Sequence, residues 1–399
     1  MTKKGVKGII GTHTRPDLDV VAPVWMFRQY GDKKMKKAAF LFLKGGDEEL
    51  SQITGIALID RGRGELDHHG RNNEGGETSA SLVAEKLGIS KEKPIQELLG
   101  LVRRSDLQGR SEPFDAADLI KYAQRNQDLT DEEVVEIGVR IVADGIEFRR
   151  NSLRRDNAWV GKIISDFLAE KKLVPPKVQQ YLETLNNPRF VRPFDLVEIL
   201  VAEKARSEEE AVSFGRKLIT LAYEDGVIFL RAQGEVKKAW MKQVREHLII
   251  AASTDNPKFS PAARQAGATI AVQKNATGHH QIYFTTGLVD DPTIEAVVSV
   301  VRLEEGLVQG REIPKVDLRA PEKIEEVPEW YYAKFPAIGR QPPGRLFLNG
   351  SLTAPDVPIS KIPWETLLYI VECAVRYQPL NWVRWKGERI AYYSQQKQS

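Results

Sequence analysis

The sequence is poor in cysteine, in long apolar runs and in net charge, and each scarcity excludes a class of protein. Its single cysteine, Cys373, cannot form an internal disulfide, which excludes a disulfide-stapled secreted scaffold. No stretch approaches the roughly 18 apolar residues of a membrane span, and we find no signal peptide before the first strand-like run. We therefore expect a cytoplasmic protein without a membrane partner. The formal net charge is only +3, so any nucleic-acid contact would depend on local basic clusters.

Histidine is scarce as well, but five of the six histidines fall in three short stretches. The first stretch, residues 12–19, follows an apolar run at 6–10. The second, residues 66–70, follows an apolar run at 56–59 across a short loop rich in Gly and Arg. The third, residues 275–280, lies between two strand-like runs. Because the first two stretches also carry aspartates, they have the side chains that divalent metals bind.

The first 110 residues alternate short apolar runs with helical patterns, which predicts a mainly parallel sheet covered by helices. The predicted strands are 5–10, 38–43 and 55–60, and the predicted helices are 20–30, 79–87 and 94–106. In such sheets, ligands bind beyond the carboxyl ends of the strands. His13 and Asp60 both fall at a predicted strand end, so we expect them at the ligand-binding edge.

Changes of pattern divide the chain into four predicted parts. They are a metal-binding catalytic domain at 1–125, a helical connector at 126–245, a smaller substrate-binding α/β domain at 246–312, and a Pro- and aromatic-rich extension at 313–399 that packs on the body. The predicted fold class is α/β, with an N-terminal mainly parallel sheet, a helical middle and a mixed C-terminal α/β region. No internal repeat or low-complexity tract is apparent.

Seven side chains could form a two-metal site at the predicted sheet edge. They are His13, Asp17, Asp19, Asp60, His68, His69 and Asp106. Two metals about 3.5–4 Å apart need a bridging ligand, a role that a carboxylate can fill. Asp17 and Asp19 are two positions apart in an extended loop, so they can serve neighbouring metals. Asp60, at a strand end, is the natural bridge.

The series His-x-x-Pro-Asp-x-Asp, Asp, Asp-His-His and a later Asp resembles the motifs of the DHH phosphoesterases, over residues 5 to about 110. This family includes RecJ-like exonucleases, oligoribonucleases and family II inorganic pyrophosphatases. The resemblance implies one metal held by His13, Asp17 and Asp60, and another held by Asp19, Asp60, His68 and Asp106. It also implies that His69 lies near the scissile phosphate, that Asp67 orients an imidazole, and that the metals are two Mn²⁺, with Mg²⁺ or Co²⁺ as substitutes.

Two features bear on the substrate. The chain lacks the C-terminal Ser-Arg-Lys-Lys-Gln element of family II pyrophosphatases. It has Asn-Ala-Thr-Gly-His-His at 275–280, a partial match to the Gly-Gly-His type loop of nucleases of the family. Gly278, His279 and His280 are therefore candidate substrate contacts, although a plain hairpin turn explains the loop equally well. Arg104 belongs to a basic cluster beside Asp106 that suits phosphate contacts.

The sequence predicts a manganese-dependent phosphodiesterase that hydrolyses short single-stranded oligonucleotides or another nucleotide-containing phosphodiester. The order of parts also resembles that of the melanocyte-proliferating-gene exonucleases, which favours a nuclease. Two alternatives stay open: a small-molecule phosphohydrolase acting on pyrophosphate or a cyclic dinucleotide, and a nucleotide-sensing module without turnover. The expected partner is a nucleotide or short single-stranded nucleic acid, and a homodimer is compatible with the pattern.

Overall fold

A computed structural model describes most of the chain in two compact units, residues 1–227 and 228–399. The described residues are 8–43, 56–61, 64–68, 76–187, 191–285, 287–311, 317–334, 345–350, 357–377, 385, 387–389 and 391. The predicted α/β class is confirmed, with a parallel first sheet, a helical middle and a mixed C-terminal sheet. Within these ranges, none of the helices combines the length and apolar character of a membrane span.

The sheet of the first unit is parallel, in the order β2-β1-β3. Its strands are β1 (Ile9–His13), β2 (Ala39–Leu43) and β3 (Ala57–Leu58). Ile10 of the central strand pairs with Phe40 on one side and Ala57 on the other. Because the strands run in one direction, the segments that follow β1 and β3 meet at the same edge.

The other long elements in the described part of the first unit are helices. They are α1 (Leu18–Tyr30), α2 (Ser79–Lys86), α3 (Lys93–Asp106), α4 (Ala116–Arg125), α5 (Asp131–Arg150), α6 (Asn157–Ala169), α7 (Pro176–Leu185) and α8 (Leu196–Arg206). The helix α9 (Glu208–Val236) begins in this unit and ends in the next. Residues 18–27 of α1 are all buried, because α1 packs against β-sheet residues and against α2, α3 and α5. A helix that is apolar on all sides belongs inside a core, so α1 fixes where the β1–α1 loop points.

The structure reveals an internal repeat that the sequence analysis did not find. Residues 113–118 (Pro-Phe-Asp-Ala-Ala-Asp) start α4, and residues 193–198 (Pro-Phe-Asp-Leu-Val-Glu) start α8. In each copy the Phe backbone is left-handed, with φ of 62° and 55°. The Asp side chain accepts a hydrogen bond from the N–H three residues later, and the acidic residue there accepts one from the Phe N–H. Both copies therefore build the same capped helix start.

The two copies pair with each other. Ala116 N donates to Phe194 O at 2.8 Å, and Leu196 N donates to Phe114 O at 3.0 Å. This reciprocity relates the two helix starts by an approximate two-fold axis. The repeat escaped the sequence analysis because its copies begin 80 positions apart and share little beyond turn and cap residues. A left-handed Phe also has no sequence signature, since glycine, asparagine and aspartate usually take that conformation.

Two glycines inside helices of the first unit predict opposite effects of substitution by alanine. A Cβ at Gly145 of α5 would overlap the ring of Phe194, whereas a Cβ at Gly100 of α3 would meet no atom within 4 Å. We expect Gly145→Ala to lower the free energy of unfolding by about 1–3 kcal/mol. We expect Gly100→Ala to raise it by about 0.5–1 kcal/mol, because alanine is the better helix former. Denaturant unfolding of both variants measures these changes in the free energy of unfolding. Equal changes in the two variants would contradict the packing of α5 on Phe194.

The second unit is built on a seven-stranded mixed sheet in the order β4-β5-β6-β7-β10-β9-β8. Its strands are β4 (Trp240–Val244), β5 (His247–Ser253), β6 (Ile270–Lys274), β7 (His280–Phe284), β8 (Glu322–Ile324), β9 (Val327–Lys334) and β10 (Arg345–Leu348). Its further helices are α10 (Phe259–Gln265), α11 (Asp291–Val308) and α12 (Trp364–Arg376). Among the described strands of this unit, only β5 and β6 pair in parallel. Residues on both sides of the predicted 312/313 boundary share this sheet, because β10 pairs with β7.

Buried charged residues on α11 hold the later strands in place. Arg302 is fully buried and donates to the carbonyls of Leu318, Ala320 and Trp330. Glu305, also fully buried, accepts from Trp330 Nε1 at 2.9 Å and from Lys361 N at 2.8 Å. Since a buried charge is tolerated only when it is hydrogen-bonded, these contacts specify how the segment at 318–330 and Lys361 pack on the helix.

Candidate metal centre

The loop between β1 and α1 brings three of the predicted ligands to the sheet edge. His13 is the last residue of β1, and Arg15 turns the chain with a left-handed φ of 59°. Asp17 then caps α1 by accepting from Asp19 N at 2.9 Å, which puts Asp19 in the first helical turn. Gln124 of α4 fixes the turn, because its side-chain amide donates to Arg15 O and its backbone carbonyl accepts from the Arg15 guanidinium.

Asp60 lies two residues beyond β3 and reaches both halves of the site. Its backbone is left-handed, with φ of 55°, a conformation that aspartate tolerates better than most residues. One carboxylate oxygen lies 3.3 Å from His13 Nε2, and the other lies 3.1 Å from His68 Nδ1. Asp60 is therefore placed between the β1–α1 loop and the segment that carries the second motif.

Two groups of side chains have ligand atoms close enough to hold a metal ion. His13, Asp17 and Asp60 form one group, and Asp19, Asp60 and His68 form the other. Within each group the atoms lie within 4.8 Å of one another. Asp60 belongs to both groups, which is the arrangement that a bridging carboxylate requires. The structure thus brings these five predicted residues together, and their role as ligands stays a prediction.

Asp106, the last residue of α3, lies next to the second group. Its Oδ2 lies 3.4 Å from His68 Nε2, while His68 Nδ1 lies 3.2 Å from Asp19 Oδ2. The imidazole of His68 is buried among these carboxylates. Oδ2 of Asp106 is buried and has no hydrogen-bond partner in the described part of the chain. A buried carboxylate oxygen without a donor suits a cation ligand.

The amino terminus of α2 positions Asp19. This role of α2 was not predicted from the sequence. Ser79 N donates to Asp19 Oδ2 and Ala80 N donates to Asp19 Oδ1, both at 2.8 Å. Ser79 Oγ also lies 3.3 Å from Asp60 Oδ1. The positive end of the helix dipole favours a carboxylate at this place. The predicted cap at Thr78 marked the helix start, but no sequence signal connected it with Asp19, which lies 60 residues before Ser79.

Burial, together with the charges of neighbouring carboxylates, raises the pKa values of the carboxylates at this site. Burial, followed by the charges of neighbouring carboxylates, raises the pKa of Asp106 to about 7. Burial likewise raises the pKa of Asp19 to about 6, against the hydrogen bond from His68. Burial lowers the pKa of His13, but the hydrogen bond to Asp60 and the charges of Asp17 and Asp60 outweigh it and raise that pKa to about 9. The clustered carboxylates therefore favour positive charge at this site. Its donor set of carboxylates and two imidazoles fits divalent transition metals.

Lys121 of α4 is a cation beside this site that the sequence analysis did not single out. It is half-buried and makes no ion pair within the described part of the chain. Burial and the charge of Arg125 lower the pKa of Lys121, whereas the negative charge of Asp17 raises it. The contact between Gln124 and the Arg15 turn explains this placement, because it packs α4 against the β1–α1 loop. Nothing in the local sequence of an amphipathic helix predicts that neighbour.

The other predicted site residues are placed as follows. His69 lies outside the described residues. Asp67 is buried, with its N–H bonded to Gly64 O, and Arg104 is exposed on α3. Gly278 turns the loop between β6 and β7 with φ of 95°.

The two histidines after Gly278 differ in exposure. His279 is half-buried, and its ring nitrogens lie 2.9 Å from Thr277 Oγ1 and 3.0 Å from Val357 O. His280 is only 1% exposed, and its ring is stacked between Trp330 and Trp364. The proposed contact of Gly278, His279 and His280 with substrate stays a prediction.

Comparison with known proteins gives structural likenesses only. The chain matches no family model and no curated protein. It is similar to RecJ of Thermus thermophilus in complex with Mg²⁺, at 12% identity and a TM-score of 0.39, and in complex with Mn²⁺, at 10% identity and a TM-score of 0.41. These likenesses cover 96% and 92% of this chain but 54% and 52% of the RecJ chains, so the chain spans about half of their length. An uncharacterised protein from Helicobacter pylori is similar at 10% identity and a TM-score of 0.24, over 73% of this chain and 89% of that chain. Likenesses with TM-scores this low support no functional argument. The functional argument rests instead on the side chains of the candidate metal centre.

Proposed function

We propose that the first unit is a two-metal phosphodiesterase that hydrolyses short single-stranded oligonucleotides or another nucleotide-containing phosphodiester. The observation that carries the proposal is the sharing of Asp60 by two groups of ligands, one with His13 and Asp17 and one with Asp19 and His68. The agreement of these residues with the motif order of the DHH phosphoesterases supports the same chemistry.

This geometry supports the two ligand sets that the resemblance implies. His13, Asp17 and Asp60 hold one ion, and Asp19, Asp60, His68 and Asp106 hold the other. When bound, two Mn²⁺ ions supply an activated water and offset the negative charge that develops on the phosphate. The two imidazoles favour Mn²⁺ over Mg²⁺, which prefers oxygen ligands throughout.

Neighbouring residues of the chain hold the proposed ligands in position. The N–H groups of Ser79 and Ala80 hold both oxygens of Asp19, so this carboxylate cannot rotate away from its ligand position. Asp60 is held from two sides, by His13 and by Ser79. Such contacts fix the ligands before substrate arrives, so little reorganisation is needed during the reaction.

Lys121 is proposed to contact a phosphate oxygen of the substrate. Lys121 is half-buried, interacts electrostatically with Asp17 and makes no ion pair among the described residues. We expect Lys121→Gln to lower kcat/KM for an oligonucleotide by about 10- to 100-fold, the value of a charge-assisted hydrogen bond, mainly through KM. Lys121→Arg should restore part of the loss, whereas Lys162→Gln, on the exposed face of α6, should have no effect. Steady-state kinetics, with the bound metal measured in each variant, distinguishes loss of substrate binding from loss of metal. An unchanged KM in Lys121→Gln would exclude the contact.

The proposed function is tested with a panel of substrates in buffer that contains Mn²⁺. The panel consists of labelled RNA and DNA oligonucleotides of several lengths, cyclic dinucleotides and pyrophosphate. We expect the highest kcat/KM for short single-stranded oligonucleotides. Turnover of pyrophosphate alone would overturn the phosphodiesterase proposal, and binding without any turnover would favour a sensing module.

A further inference from the structure

A cavity of about 470 Å³ opens in the second unit beside the first residue of α12. Its walls come from the end of α9, from β4 and β5, and from α12. Two tryptophans line it, Trp240 of β4 and Trp364 of α12, together with Glu235, Lys238 and Thr254. Aromatic walls with a few polar groups are typical of small-molecule sites, and this volume lies within their range of about 300–1,000 Å³.

Trp364 ends a column of stacked rings that is rooted in the core. It stacks on His280 with centroids 5.8 Å apart and planes 18° apart. His280 stacks on Trp330 at 6.3 Å, and Trp330 stacks on Phe347 at 4.6 Å. The inner three rings are buried, and burial lowers the pKa of His280 to about 4, so the column is uncharged at neutral pH. Trp364 is therefore a rigid aromatic wall, which costs little entropy to order when a ligand stacks on it.

The polar groups around the cavity differ in availability. Glu235 is already engaged, because its carboxylate accepts from Thr254 Oγ1 at 2.8 Å and from Asn256 Nδ2 at 3.3 Å. Lys238 is exposed and makes no ion pair within the described ranges. An exposed cation without an ion pair among the described residues thus stands beside a cavity with two tryptophan walls. That pairing suits a ligand with a flat ring and a negative charge.

We propose that this cavity binds the base of a nucleotide, which stacks against Trp364 and Trp240 while its phosphate contacts Lys238. Bases stack on aromatic side chains through their flat faces, and an adjacent lysine positions the phosphate without reading sequence. The inference rests on the proposed function in one respect only: the substrate proposed for the metal centre also contains nucleotides. The residues of the cavity are separate from the loop at 275–279 and from the metal ligands, so the site is a new one.

Equilibrium binding of adenosine 5′-monophosphate and of adenosine tests the proposal. The full chain is titrated in EDTA, by calorimetry and by tryptophan fluorescence, so that metal ions contribute nothing. We expect saturable binding of both compounds. Trp240→Leu should weaken both by about 5- to 150-fold, the range measured for base stacking on aromatic residues. Lys238→Gln should weaken only the phosphorylated compound.

The controls keep this outcome separate from that of the hydrolysis assay. Trp240 is 37% exposed, so its replacement leaves the core intact, whereas Trp364→Leu also removes a contact with His280. Trp159→Leu, in the first unit, should leave affinity unchanged. Asp60→Asn should keep full nucleotide binding even where hydrolysis is lost. Absence of saturable binding at millimolar concentration, or unchanged affinity in Trp240→Leu, would overturn the proposal.

Discussion

Asp60→Asn is expected to lower phosphodiester hydrolysis by on the order of 10³-fold or more, because the loss of metal-held charge stabilisation amounts to several kcal/mol. Asp60 is the residue shared by both ligand groups, so its replacement weakens both metal sites together. Asparagine keeps the size of the side chain and tolerates the left-handed backbone, at φ of 55°. It cannot bridge two ions as a carboxylate does. We therefore expect metal analysis of the dialysed variant to show the loss of at least one ion.

The fold of the variant is checked apart from its activity. Its circular dichroism spectrum and its unfolding midpoint in EDTA should stay close to those of the wild type, since no apolar contact is lost. Asp166→Asn is a matched control, because Asp166 is an exposed aspartate of α6 that pairs only with exposed Lys162 among the described residues. An Asp60→Asn protein with its full metal content would exclude the bridging role.

Divalent metal ions are expected to stabilise the wild-type protein strongly. Asp17, Asp19, Asp60 and Asp106 are crowded together. Burial, followed by the charges of the other three carboxylates, raises the pKa of Asp106 to about 7. Bound cations replace that repulsion with attraction in the folded state alone. An ion at 100 times its Kd contributes about 2.7 kcal/mol. Two ions should therefore raise the Tm of the first unit by on the order of 10 °C.

The identity of the ion separates this prediction from a general salt effect. At equal concentration Mn²⁺ should raise the Tm more than Mg²⁺, because His13 and His68 offer nitrogen ligands. Ca²⁺ and added NaCl should have little effect, and EDTA should reverse the shift. Differential scanning calorimetry on the wild type and on Asp60→Asn measures all of these. An equal shift in both proteins would mean that the ions bind elsewhere.

Much of the metal centre was predictable from the order of residues along the chain. A strand that ends in His13 and another that is followed by Asp60 meet when the strands are parallel, and the structure confirms a parallel pairing of β1 with β3. The apolar runs were sufficient to predict that sheet, because hydrophobic periodicity is a local property. Residues that act through local motifs, such as the cap at Thr78, were predictable for the same reason.

The remaining features depend on contacts between distant segments. Three such contacts link residues 60 or more positions apart. They are the hydrogen bond from Ser79 N to Asp19, the electrostatic interaction of Lys121 with Asp17, and the backbone hydrogen bonds that join Ala116 to Phe194 and Leu196 to Phe114. The stacked position of His280 belongs to the same class, since its neighbours Trp330 and Trp364 come from later elements.

The sequence by itself determined the α/β class and the side chains available for metal chemistry. The periods of strands and helices and the spacing of the motifs are local properties of the sequence. They can therefore be recognised without knowledge of how distant segments pack. Only the tertiary structure decided that Asp60 is shared by two groups, that α2 holds Asp19, and that a tryptophan-lined cavity lies beside α12. Each of these depends on how helices pack across the sheet, and packing is set by the shapes of many distant side chains together.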